Sequence, residues 1–61
     1  MEWIIVAEFD APGPAVNKEK ARLEDLALDV ALRPELVVRV REESGRVFVE
    51  IHEDFYEFFQ G

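Results

Sequence analysis

The spacing of apolar and polar residues changes three times along this chain, and each change predicts an element. Trp3 to Phe9 is dense in β-branched and aromatic residues, the composition of a strand. It ends at Asp10-Ala11-Pro12-Gly13-Pro14, where two prolines and a glycine stop the extended pairing. Strict alternation gives this strand the faces Trp3, Ile5, Ala7, Phe9 and Ile4, Val6, with Glu2 and Glu8 at its ends. Both faces are apolar, which predicts cover on both sides.

From Val16 to Leu32 the period becomes helical. Asn17 is the expected N-cap, and Pro34 forbids continuation. Val16, Leu23, Leu26, Ala27, Val30 and Ala31 share one face, a stripe that predicts packing on a sheet. Ala21, Leu28 and Leu32 form a second apolar strip beside Asp25 and Asp29. Lys20–Glu24 and Asp29–Arg33 have the i,i+4 spacing of helical ion pairs.

Leu36 to Glu53 alternates again. Leu36, Val38, Val40 and Val47, Val49, Ile51 interleave with Val37, Arg39, Arg41 and Phe48, Glu50, His52 around Glu42-Glu43-Ser44-Gly45. The pattern predicts a hairpin pairing Val40 with Val47, Val38 with Val49 and Leu36 with Ile51. Arg41 then opposes Arg46 across a four-residue loop in which Gly45 takes the left-handed position. The final segment opens with Asp54, with Glu57 three residues on, and this capping-box spacing predicts a short helix. Phe55, Phe58 and Phe59 would share one face of it.

These elements predict a single α+β domain over residues 1–61, of order β-α-β-β with a short C-terminal helix. The simplest assembly is a three-stranded sheet in order 1-3-2, strand three antiparallel to both neighbours, with the main helix on one face. The other face would show Val37 and Phe48, with Ile4 and Val6, among Arg39, Glu50 and His52. Either the C-terminal aromatics or a second copy of the chain would cover it. The length and the outline of strand, helix and hairpin resemble the small tautomerases related to 4-oxalocrotonate tautomerase, whose catalytic group is an N-terminal proline. Here the chain opens Met1-Glu2-Trp3 and its first proline is Pro12, so the resemblance implies an outline and no catalytic residue.

Length and charge narrow the function. A chain of 61 residues buries only about 60% of the surface its unfolded form exposes. Chains this small commonly add disulfides, a metal or self-association; with no cysteine, association or a metal remains. Fourteen acidic and seven basic residues give a net charge of −7, which argues against direct contact with nucleic-acid phosphates. The first eight residues carry no basic n-region, and their apolar run is too short to span a bilayer, so the chain reads as soluble and cytoplasmic.

Candidate chemistry is sparse. His52, the one histidine, aligns with Glu50 at i,i+2, a pair that could serve a metal or small ligand at a subunit interface; the plainer reading is a surface histidine near Glu35. Ser44 lies in a turn a strand's length from His52, and the Pro12–Pro14 loop lacks the lysine of a phosphate loop. Arg39, Arg41 and Arg46 gather near the turn, where they would hold an anion or simply balance Glu42 and Glu43. No cofactor motif emerges. The reading with most support is a non-enzymatic interaction module, homodimeric, contacting a second, basic protein through Val37, Phe48, Phe55, Tyr56, Phe58 and Phe59. An acidic inhibitor imitating nucleic-acid charge is a further alternative.

Overall fold

The first strand changes phase halfway along. The structure, a computed structural model, describes residues 2–59; Gln60 and Gly61 of the expected C-terminal segment lie outside them. Strand β1 (Trp3–Phe9) pairs antiparallel with β3 (Arg46–His52), and the register shifts between Ile5 and Ala7. Ile4 faces the helical layer opposite Ile51, while Ile5 points the other way opposite Glu50; Val6 is the extra residue, after which Ala7 and Phe9 sit opposite Val49 and Val47. A bulge of this kind resets the alternation by one position. Strict alternation would have buried Glu8 and turned Phe9 to water. The strand therefore reads as doubly apolar because its inward phase switches, which corrects the two faces expected above.

Helix α1 spans Pro14–Asp29, two to three residues upstream of the expected span. Its N-cap is Gly13 and not Asn17, and Pro14 holds the first helical position, where a missing N–H costs nothing. The Gly13 carbonyl accepts from the Val16 and Asn17 amides at 3.1 and 3.4 Å. The helix closes in a Schellman motif: the Leu32 N–H donates to the Ala27 carbonyl at 2.9 Å and the Ala31 N–H to Leu28 at 3.0 Å. Ala31 holds the left-handed position, φ 61°. Since the helix stops at Asp29, Asp29 and Arg33 are not the one-turn pair expected; Lys20 and Glu24 are, at 3.9 Å.

Pro34–Val37 form a single turn, α2, ahead of β2 (Val38–Glu43). Leu36 therefore does not pair with Ile51. Val38 does, and Val40 opposes Val49. The hairpin closes through Ser44 and Gly45, at φ 52° and 81°, the two left-handed residues of a type I′ turn. The register is displaced by two from the expected one. A two-residue slip keeps every side chain on its own face, so the hydrophobic pattern alone could not tell the two apart; the tight turn, whose twist matches the strands, decides.

The sheet order is β1-β3-β2 with both pairings antiparallel, as the sequence predicted. Val16, Leu23 and Ala27 of α1 meet Val38, Val47, Val49 and Ile51 of the sheet. Val37, expected on the outer face, is the last residue of α2 and is buried in this same core. Helix α3 (Glu53–Phe59) follows β3 directly and turns to the α1 side, placing Phe55 in the core at 1% exposure. Full burial of each such side chain contributes about 1.5–3 kcal/mol. Leu28 stays exposed, whereas Leu32 packs against the core. Neither helix lies over the outer face of the sheet. Of the two covers expected for that face, the C-terminal aromatics do not supply one, since α3 packs on the α1 side.

Candidate functional site

The outer face is built by alternation along the strands. β1 contributes Trp3, Ile5 and Glu8, β3 Arg46, Phe48, Glu50 and His52, and β2 Arg39, Arg41 and Glu43. Arg39 stands opposite Glu50, its Nε donating to the carboxylate at 2.7 Å. The Arg41 Nε donates to the second oxygen of Glu50 at 3.4 Å, and Arg41 also pairs with Glu43. The hydrogen bond with Glu43 is the largest influence on the Arg41 guanidinium; burial opposes it, the charges of Glu50 and Glu43 and the hydrogen bond to Glu50 add to it, and together they raise the Arg41 pKa above its usual value. Arg46 opposes Glu43 and not Arg41, and it pairs with Glu8 on the far side of β3. The expected arginine cluster is thus dispersed into a ladder of ion pairs.

Aromatic rings frame the ladder. The Arg39 guanidinium lies 4.2 Å from the Trp3 ring centroid and that of Arg41 5.0 Å from Phe48, both within cation–π range. Trp3 meets His52 edge-on at 5.6 Å. Enclosed by these groups, Glu50 is only 4% exposed. Ile5 and Val6 remain open to solvent at 48% and 38%.

His52 is occupied as well. Its Nδ1 accepts the Asp54 backbone N–H at 3.0 Å, so the ring caps α3 in the place expected for Asp54. Its neighbours are Trp3 and Asp54, not Glu35. Both oxygens of Glu50 are held by arginines and one nitrogen of His52 by the backbone, and among the described residues no three His, Asp or Glu side chains converge. A metal site on this pair would have to displace contacts already made.

A second surface lies on the helical side. Phe58 and Phe59 are 56% and 48% exposed and border a groove of about 240 Å³ with Leu26, Val30 and Asp29. Phe59 rests on Phe55, centroids 5.0 Å apart. Tyr56 is half-buried against the core. Of the six contact residues expected from the sequence, Phe58 and Phe59 reach this surface and Phe48 the outer sheet face, while Val37 and Phe55 are core. Trp3, Arg39 and Arg41 form one cluster with Glu50 that the expected hairpin register conceals, because only the true register sets Arg39 opposite Glu50. A second concavity, of about 490 Å³, lies between the Ala31–Val37 connection and His52 and Asp54.

No described helix is long and apolar enough to cross a membrane. Comparison with protein-family models, with curated proteins and with solved structures returned no match.

Proposed function

We propose that this protein is a non-enzymatic interaction module of the cytoplasm, acting as a homodimer that offers an aromatic edge and acidic surface to a second, basic protein. The observation that carries the reading is the exposure of Phe58 and Phe59 beside an apolar groove. Neighbouring solvent-facing aromatics mark contact surfaces, because they remove a large area from water with few rotatable bonds. Asp29 at the groove and Glu57 between the aromatics supply a polar rim that selects a cationic partner. Small size and the absence of cysteine favour self-association as the added source of burial.

Sedimentation equilibrium over a wide concentration range tests the self-association. A mass rising to twice that of the chain is expected; a chain-sized mass at every concentration removes the homodimer from the proposal.

A further inference from the structure

We infer that the second copy seats on the outer face of the sheet, sheet against sheet, leaving the Phe58–Phe59 edge free for the other partner. The inference rests on the homodimer reading and assigns it a surface.

Charge separates the two sides of the molecule. The outer face carries Arg39, Arg41 and Arg46 against Glu8, Glu43 and Glu50, each engaged with another of the set. These six are formally neutral together, and Asp10, in the turn after β1, also reaches Arg46 at 3.5 Å. The other eleven acidic and four basic residues account for the whole net charge of −7. Two copies meeting through their helical layers would bring like charge together; meeting through the sheets keeps the acidic layers apart. A neutral, internally paired face also offers little to a strongly basic partner, whereas it suits its own copy.

Desolvation points the same way. An interface must strip water from any ion it covers, and that cost commonly cancels the Coulombic gain. Here the central carboxylate, Glu50, is already 4% exposed in the single chain. Arg39 and Arg41 already lie over Trp3 and Phe48. Covering the part of the face around Glu50 mainly removes the apolar surface of Ile5 and the flat guanidinium–aromatic pairs, the side chains in which interface cores are rich, while the solvated ions Glu8, Glu43 and Arg46 stand at the turn end, where they form a polar rim. Edge-to-edge pairing is less suited. The bulge at Val6 breaks the ladder rhythm of β1, and β2 ends in Glu42 and Glu43, both features that blunt an edge.

Trp3 is the only tryptophan and lies on this face, so its emission reports the contact in the unaltered protein. Fluorescence and sedimentation equilibrium would be followed together across concentration, for the natural chain, Ile5→Lys, Leu28→Lys and the double variant Phe58→Ser/Phe59→Ser. Circular dichroism confirms folding of each. Ile5→Lys and Leu28→Lys change the net charge equally and toward neutrality, so a loss confined to the first cannot come from overall repulsion.

Emission is expected to shift to the blue as the mass doubles. Ile5→Lys is expected to raise the dimer dissociation constant at least tenfold, with the other two variants within about threefold of the natural chain. A dimer that forms without change in Trp3 emission, or one that survives Ile5→Lys and is lost in the phenylalanine variant, overturns the surface assignment while the homodimer stands. A chain monomeric throughout removes both. If Ile5→Lys fails to fold, the natural chain's emission against its mass decides alone.

Discussion

His52 caps the helix that follows it: its ring Nδ1 accepts the Asp54 backbone N–H at 3.0 Å. The side chain is also held edge-on against Trp3, so one residue joins the end of β3, the start of α3 and the start of β1. His52→Ala should cost about 1–2 kcal/mol, the loss of a cap and an aromatic contact together. His52→Asn returns an acceptor oxygen to the cap but no ring, and should recover about half of that loss. Urea unfolding of the three proteins checks this. Equal losses for Ala and Asn would show that the cap contributes nothing.

Glu50 depends on two arginines that are themselves 43% and 37% exposed. Removing the partners of a fully buried charge costs about 3–5 kcal/mol, but solvent reaches this pair, so Arg39→Ala/Arg41→Ala should cost about 1–3 kcal/mol. Glu50→Gln keeps an acceptor and leaves no stranded charge, and should cost less than the double arginine variant. A double-mutant cycle of Arg39→Ala with Glu50→Gln should give a coupling of about 0.5 kcal/mol or more. Strict additivity would mean that the ion pair is not formed in solution.

Among the described residues, two that are not glycine hold left-handed backbone, Ala31 at φ 61° and Ser44 at φ 52°. A Cβ in that region costs about 1 kcal/mol, partly offset for glycine by the entropy of a freer unfolded chain. Ala31→Gly should therefore raise stability by about 0.5 kcal/mol. At Gly45, φ 81° with open space where a Cβ would stand, Gly45→Ala should lower it by about 1 kcal/mol through backbone strain alone. Opposite shifts of the urea midpoint at unchanged slope are the expected signature.

Phe55 and Phe58 lie three residues apart on one short helix and have different roles. Phe55→Ala empties a fully buried position and should cost about 3–5 kcal/mol, enough to unfold much of a chain this small at room temperature. Phe58→Ser, at a position 56% exposed, should stay within about 0.5 kcal/mol of the natural protein. Thermal unfolding separates them; a large loss at Phe58 would place it in the core and remove it from the contact surface.

Much of this fold is legible in the sequence, and the exceptions have identifiable causes. The element order, the sheet order and the buried set Val38, Val47, Val49 and Ile51 follow from changes of period, since burial on one face imposes that period; Leu36 and Val40, expected inward with them, are 62% and 39% exposed. The phase of β1 does not, because a bulge adds a residue without leaving a marker at Val6. Leu36 and Val37 extend the alternation of β2 yet belong to a helical turn, where the proline at 34 takes the first position. The hairpin register escapes because a shift of two residues leaves the faces unchanged. That shift hid the chief feature of the outer face: in the expected register Arg39 opposes Phe48, and its pairing with Glu50 cannot be seen. His52 escaped as a cap because histidine is not among the residues that usually fill that place.

The separation of charge gives the protein an electrical direction. The outer face is close to neutral, with Asp10 reaching Arg46 from its margin, and the remainder carries nearly all of the −7, so in the field of an approaching cation the molecule experiences a torque before any atoms touch. The basic partner of the proposed function would meet the helical side more often than chance orientation allows, and that is the side bearing Phe58 and Phe59. Added salt would slow such encounters while changing the lifetime of the finished complex far less, because the aromatic contacts that hold it are not screened.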